Sequence, residues 1–383
     1  MRLAFLNLTG GGISGGYKKY LQNILPRLVD DQGIKSILCA TPESLKIKDW
    51  IEPSNKIRHI TCNKYKPFLQ WMDFKLKAEI YKFSPDIIFI PIERPFSFKK
   101  VNVVHMLQNM EPFVKNSLLN NNKINVKNIL QKYIGLNALK RSDGIICPSN
   151  FVKSYLSETI SSSTGKMALV YHGIDKATND ELSSPKTINN ISVEFIFTAG
   201  SIRPARGLDD LIKALFILKE KNIEIKLFIS GSSNIDSKGY LDYLKNMIKN
   251  YKLSNSIIFT GDLNNKEMSW CYKNSKMFVM TSHVESFGMI AGEALAHGCI
   301  NISTDSPCLP EVFGDCAYYY KSGDSIGLAH NIQHVLSLDH KQLEKRNSEA
   351  VKRSKMFSWN ICVNRTVEFL IKVVKSNRNG IYE

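Results

Sequence analysis

Thr281-Ser282-His283-Val284-Glu285-Ser286-Phe287-Gly288-Met289-Ile290-Ala291-Gly292-Glu293-Ala294-Leu295-Ala296-His297-Gly298 joins two apolar runs, residues 277–281 and 299–303. Its pattern is a strand ending near Thr281, a loop, and a helix that starts at about Gly288. Gly298 stops that helix, and Cys299-Ile300 opens the next strand. Strands that are apolar at successive positions and alternate with helices belong to a parallel sheet covered on both faces.

The pattern extends in both directions. Residues 194–199, 225–230 and 256–260 read as further strands, with helices at 208–219, 240–251, 266–274, 288–297 and 325–338. The first half carries strands at 3–8, 36–40, 87–91, 101–107, 144–148 and 167–171, and helices at 16–30, 67–83, 125–141 and 151–158. Residues 176–190 are polar, contain Pro185 and lack a periodic apolar face, so they read as a linker. A chain of 383 residues exceeds what one core usually organises. The expected fold is α/β: two Rossmann-like doubly wound domains, 1–175 and 191–360, facing each other across a cleft at the carboxyl ends of their strands.

Composition removes several classes. With 43% hydrophobic residues the chain can build sizeable cores, and no apolar run is long enough to span a bilayer. The N-terminal apolar stretch ends at Leu8, too short for a signal peptide, so a cytoplasmic location is expected. The eight cysteines form no C-x-x-C pair and the eight histidines no H-E-x-x-H. Neither a disulfide framework nor a metal site is therefore expected. The formal charge is +16, and it is uneven. Residues 1–190 carry 27 Lys and Arg against 15 Asp and Glu, whereas the rest carry 24 against 20. Such an excess fits an anionic membrane surface, a phosphorylated lipid or nucleic acid, or it reflects a Lys-, Asn- and Ile-rich composition.

Three segments carry chemistry. In the opening stretch, the first backbone N–H groups of a helix starting near Gly288 are suited to phosphate or sugar oxygens. Glu285 in the loop and Glu293 inside the helix are two acceptors placed to address two diols of one extended ligand. The alternative makes Glu285 a helix cap and Glu293 an ordinary exposed residue. The second segment runs from Phe195 to Leu211 and places Gly200-Ser201-Ile202-Arg203-Pro204-Ala205-Arg206-Gly207 between a strand and a helix. Two guanidiniums three residues apart suit a diphosphate; the bland reading is a solvated surface loop. The third is Thr9-Gly10-Gly11-Gly12-Ile13-Ser14-Gly15-Gly16-Tyr17, a glycine turn that can bring amides, including those of Gly15 and Gly16, against phosphate. It is not in G-x-G-x-x-G register, so a nicotinamide site is disfavoured.

These segments resemble glycosyltransferase family 4, retaining enzymes with the GT-B fold, over nearly the whole chain. The most specific parts are Glu285 and Glu293, separated by seven residues, and the basic glycine loop before Leu208. Supporting pieces are Ser142-Asp143-Gly144-Ile145-Ile146-Cys147-Pro148-Ser149, Tyr171-His172-Gly173-Ile174-Asp175, Phe259-Thr260-Gly261-Asp262 and Phe357-Ser358-Trp359.

The resemblance implies a nucleotide-diphosphate sugar as co-substrate, with no resident cofactor or metal. It implies Glu285 on the donor sugar's hydroxyls and Glu293 on the ribose diol. Ser286, Phe287, Gly288, Met289 and Ile290 would hold sugar and phosphate, and Gly261, Asp262 and Leu263 would line the nucleobase site. Arg206 stands where the family usually has lysine. Ser201 stands where it often has arginine, and Arg203 would substitute. Arg203, Arg206 and Glu285 are thus the expected catalytic set, with Gly15, Gly16 and Ser201 also on the donor. Residues 361–383 would form a helix crossing back to the first domain.

The acceptor, a glycan or lipid-linked molecule, is expected against the first domain. His105 and Asn109 are the candidates there, with Gly15 and Gly16 nearby, although His105 also reads as a packing residue. Lys115, Lys123, Lys127 and Lys132, with Trp71 and Phe74 of the 67–83 helix, form a basic-aromatic surface suited to a membrane interface or to a solvated lysine face. A sugar-nucleotide epimerase or hydrolase on the same fold, and a non-catalytic basic binding protein, are the rival classes. No nucleic-acid motif is present, so nucleic acid is not an expected partner.

Overall fold

The computed structural model describes residues 1–10, 14–64, 73–99, 101–114, 122–160, 165–175, 182–188, 193–233 and 237–379. Its contacts divide the chain into two units: Met1–Lys115 with Asn121–Gly173 and Ser358–Glu383, and Ile174–Phe357.

The first unit runs β1 (Arg2–Leu6), α1 (Gly15–Asp30), β2 (Ser36–Pro42), β3 (Ile57–Cys62), α2 (Phe74–Phe83) and β4 (Ile87–Ile90). It continues with β5 (Asn102–Met106), α3 (Asn122–Lys140), β6 (Gly144–Cys147), α4 (Asn150–Thr159) and β7 (Met167–Leu169). All seven strands pair in parallel in the order β3-β2-β1-β4-β5-β6-β7. β1 and β4 are adjacent although β2 and β3 separate them in sequence, so the order reverses between them. The residues of β4 are all buried, as strands covered on both faces require. Side chains start the helices: Ser14 accepts from the Tyr17 N–H at 3.3 Å and Asp73 from the Leu76 N–H at 3.0 Å.

The second unit runs β8 (Phe195–Ala199), α5 (Leu208–Glu220), β9 (Lys226–Ser230), α6 (Lys238–Asn250), β10 (Ile257–Gly261), α7 (Asn265–Asn274) and β11 (Met277–Met280). It continues with α8 (Met289–Ala296), β12 (Asn301–Thr304), α9 (Leu309–Phe313), β13 (Ala317–Tyr320), α10 (Ser325–Leu336) and α11 (His340–Ser354). Its parallel sheet has the order β10-β9-β8-β11-β12-β13, reversing between β8 and β11. The core on one face joins Ile196 and Ile229 of the sheet to Leu211, Leu215, Leu244 and Leu328 of the helices. Capping boxes start α7 (Asn264 with Glu267) and α11 (Asp339 with Gln342).

The last helix, α12 (Trp359–Asn379), belongs to the first unit and lies against α1, β5 and β6. Leu370 is fully buried there, and the Asn102 side chain donates to the Val373 carbonyl at 2.9 Å.

Several elements differ from expectation. β3 and β13 are strands that apolar runs do not announce, and both are outermost in their sheets. α9 and α11 occupy segments to which the sequence pattern assigns no element. Of the 67–83 helix, Phe74–Phe83 is helical and residues 67–72 lie outside the described residues. Of the expected linker, 176–181 and 189–190 lie outside them too, while Lys186–Ile188 form a short 3-10 turn with Ile188 buried. All eight cysteines are free, and only Cys316 is not buried. Among the described residues no helix is long and apolar enough to cross a membrane.

Candidate active site

The carboxyl ends of β8 and β11 meet where the strand order of the second unit reverses, the place where open parallel sheets bind ligands. Two loops leave these strands, and hydrogen bonds fasten them to each other. The Thr281 hydroxyl donates to the Arg206 carbonyl at 2.5 Å, and the His283 N–H donates to the Ala205 carbonyl at 2.9 Å. The approach is so close that a Cβ on Gly207 would lie 2.4 Å from the Thr281 carbonyl oxygen and 2.7 Å from the His283 ring. With its φ of 58° as well, position 207 admits only glycine without rearrangement.

Pro204–Arg206 form a 3-10 turn that ends at Gly207 and aims Arg206 back across Gly200. The Arg206 guanidinium donates from Nη1 to the Ser282 hydroxyl at 3.1 Å and forms an ion pair with Glu285 Oε1. The two side chains are only 14% and 13% exposed, so the pair is largely withdrawn from water and weakly screened. Arg203, half-buried, opens the same turn, and Ser201 is exposed beside it.

α8 begins at Gly288, whose φ of 90° is left-handed and which supplies no capping side chain. Its first intrahelical bonds are donated by Ala291 and Gly292 to the Gly288 carbonyl. The N–H groups of Met289 and Ile290 precede them, as at any helix start. Phe287 and Met289 are buried as anchors, while Ser286 and Ile290 are half-buried. Further along α8, Glu293 accepts from the Tyr272 hydroxyl at 3.2 Å. Burial, then the Glu293 carboxylate, pushes the Tyr272 phenol well above its usual range. Glu285 and Glu293 are thus held apart by different partners, one cationic and one neutral.

The end of β10 joins the same edge. Gly261 accepts from the Gly231 N–H at 2.9 Å, and the Ser232 hydroxyl donates to Asp262 Oδ2 at 2.9 Å. Asp262 is exposed and Leu263 half-buried. Three residues with no role assigned from sequence also bear on the site. His283 Nδ1 lies 2.6 Å from the Ser322 hydroxyl, and burial lowers the ring's pKa. Asp210 accepts from the Gly323 N–H at 2.9 Å. Burial, then neighbouring Asp209, raises its carboxyl to about 6. Tyr272, from α7, stands outside every quoted segment.

In the first unit, Gly15 and Gly16 are exposed in the first turn of α1, at the end of β1 that adjoins β4. Gly11, Gly12 and Ile13 lie outside the described residues, as do Lys115 and Trp71; nothing is described of the Lys123 side chain. The expectation that His105 contacts an acceptor is corrected by its burial. It is 1% exposed, with Nδ1 2.7 Å from the Ser142 hydroxyl and Nε2 2.8 Å from the Arg94 carbonyl. Burial lowers its pKa to about 4, so it is a neutral packing residue of β5. Asn109 is exposed just beyond β5, its Oδ1 accepting from the Glu111 N–H at 3.1 Å. Glu93, which sequence reading passed over, is buried after β4 and accepts from the Gln108 N–H at 3.2 Å. Burial raises its pKa. Lys132 turns inward and donates to the Phe113 carbonyl at 3.1 Å.

Comparison with known proteins places this geometry in context. A family model described as Glycosyltransferase Family 4 matches residues 14–178, and one described as Glycosyl transferases group 1 matches 180–353. Mannosylfructose-phosphate synthase of Agrobacterium fabrum is 30% identical over 112 residues, 28% of this chain and 25% of that protein. Alpha-monoglucosyldiacylglycerol synthase of Streptococcus pneumoniae is 27% identical over 210 residues, 51% and 46% of the two chains. Each of these alignments therefore spans less than half of the relative's own length. Among solved structures, Anabaena HepE in complex with UDP and glucose superposes with a TM-score of 0.73 at 18% identity, covering 97% of this chain and 99% of that one. Sucrose-phosphate synthase of Thermosynechococcus elongatus gives 0.75 at 18% identity, covering 98% and 100%. The likeness in fold is thus to two-domain Rossmann-like proteins of the GT-B type. With consecutive family models running from residue 14 to residue 353 over these two parallel sheets, the chain belongs to glycosyltransferase family 4.

Proposed function

We propose that the protein transfers a sugar from a nucleotide-diphosphate sugar to a hydroxyl of a glycan or lipid-linked acceptor, retaining the anomeric configuration. The observation that carries this reading is the Arg206–Glu285 pair beside the α8 N-terminus, at the reversal point of the second sheet. The UDP and glucose of Anabaena HepE support a nucleotide-sugar donor, and the glucosyldiacylglycerol-forming relative supports a lipid acceptor.

Breaking the anomeric C–O bond builds negative charge on the departing diphosphate. Arg206, Arg203 and the amides of residues 287–290 meet that charge without reorganising. Glu285 accepts from the sugar's hydroxyls and Glu293 from the ribose diol, fixing the donor relative to the acceptor. The leaving phosphate takes the acceptor's proton, so the reaction proceeds with no protein nucleophile, resident cofactor or metal. The acceptor lies against the first unit near Asn109, Gly15 and Gly16, and the protein works at the cytoplasmic face of a membrane in cell-surface polysaccharide synthesis.

Melting the protein against a panel of UDP-, GDP- and ADP-sugars tests the reading, because a ligand of the native state raises the melting temperature. One nucleotide class is expected to shift it, and a panel with no shift overturns the proposal. Incubation with the active donor alone separates transfer from hydrolysis or epimerisation.

A further inference from the structure

Helix α3 has two apolar faces. Ile134, Ala138 and Leu139 turn into the first unit and are buried. On the opposite side, Ile129, Leu130 and Tyr133 are 67%, 43% and 72% exposed. At 3.6 residues per turn Ile129 and Tyr133 share one stripe away from the core face, and Leu130 lies on its flank. A helix resting on a soluble domain ordinarily makes that outer side polar. The charge is one-sided too: residues 122–140 contain four lysines and no Asp or Glu. Lys127 and Lys140 are both exposed.

α2 repeats the combination in part, its one acid, Glu79, being ion-paired with Arg58. Phe74 and Tyr81 are 68% and 64% exposed, Tyr81 packs on Phe98 at 4.6 Å, and Lys75 and Lys82 are exposed beside them. The second unit also exposes apolar residues, but Val351 on α11 sits in a helix bearing both acids and bases.

We propose that the outer stripe of α3 is a docking surface for anionic lipid, with Ile129, Leu130 and Tyr133 entering the interface and Lys127 and Lys140 meeting the headgroups. Exposed apolar side chains on a helix whose only charged residues are lysines match the two components of such a surface, a hydrocarbon boundary and a negative potential. A folded protein partner would supply no comparable uniform negative field. The surface deepens the lipid-linked acceptor reading and rests on it for its purpose: it holds the first unit at the membrane where that acceptor resides.

The test is co-sedimentation of the full chain with vesicles of phosphatidylcholine alone and of phosphatidylcholine with phosphatidylglycerol. Binding is expected only with phosphatidylglycerol, weakening as salt rises. The double variant Ile129→Ser/Leu130→Ser is expected to lose about tenfold or more in partitioning. Its melting temperature and its thermal shift with the preferred nucleotide sugar should match the parent's. Absence of vesicle binding, or binding that the double variant retains, overturns the proposal. So does self-association of the parent that the variant abolishes, which would make the stripe a contact between copies. Vesicle binding without any nucleotide-sugar shift would instead sink the sugar-transfer reading and leave the docking surface standing.

Discussion

The two units have the same architecture and treat the reversal point of their sheets differently. In the second, the loops after β8, β9, β10 and β11 are tied to one another by Thr281–Arg206, His283–Ala205, Ser232–Asp262 and Arg206–Glu285. In the first, Gly15, Gly16 and Asn109 stand exposed, and the buried polar residues Glu93 and His105 bond to neighbouring loops and helices instead. A ligand whose diphosphate and ribose are constant rewards a preassembled site, because ordering costs are met before binding. A variable acceptor, as proposed for the first unit, leaves less to fix in advance.

The contrast can be broken most directly at Arg206. Arg206→Ala removes a cation from the proposed charge-building step and leaves the Glu285 carboxylate largely buried without its partner. Turnover is expected to fall by about 10²–10³, measured as initial rate with saturating donor and acceptor. A loss below about tenfold would mean that the tied loops are scaffolding. Glu293→Ala comes next. It removes the acceptor of the Tyr272 hydroxyl and the proposed ribose contact, and nucleotide affinity should weaken about ten- to a hundredfold by calorimetry. An unchanged Kd would assign the α8 carboxylate to packing alone.

The smallest expected effect sharpens the comparison through pH. The Asp210 carboxyl is raised to about 6, so between its unfolded value and 6 the folded state binds more protons than the unfolded chain. Stability is then lost as pH rises through that window, the reverse of an ion-paired carboxylate. Asp210→Asn keeps an acceptor for the Gly323 N–H and removes the charge. It should be more stable than the parent by on the order of 1 kcal/mol at pH 8, with the difference narrowing towards pH 4. Parallel melting curves across that range would show that Asp210 ionises there without penalty.

Interior strands were legible in the sequence because β1, β4, β8 and β11 are buried on both faces and read as unbroken apolar runs. β3 (Ile57-Arg58-His59-Ile60-Thr61-Cys62) covers one edge and is mostly half-buried or exposed, so its signal is diluted. α11 buries only Ala350, which leaves its helical period carried by charges. At the site, the glycine loops and the acids were visible as local spacing. The Arg206–Glu285 pair was not, because it joins residues 79 apart through sheet order rather than through any motif. Tyr272 escaped for the same reason, whereas packing was one of the two readings open for His105.

The placement of α12 has a consequence for synthesis. The first unit, although it begins the chain, is finished by the last long helix, whose Val363 and Leu370 are buried against it. Every residue of the second unit therefore leaves the ribosome while the α1, β5 and β6 surfaces still lack their cover. Translation that stops after Phe357 would deliver a whole second unit and a first one with an open apolar flank, a substrate for chaperones and proteases.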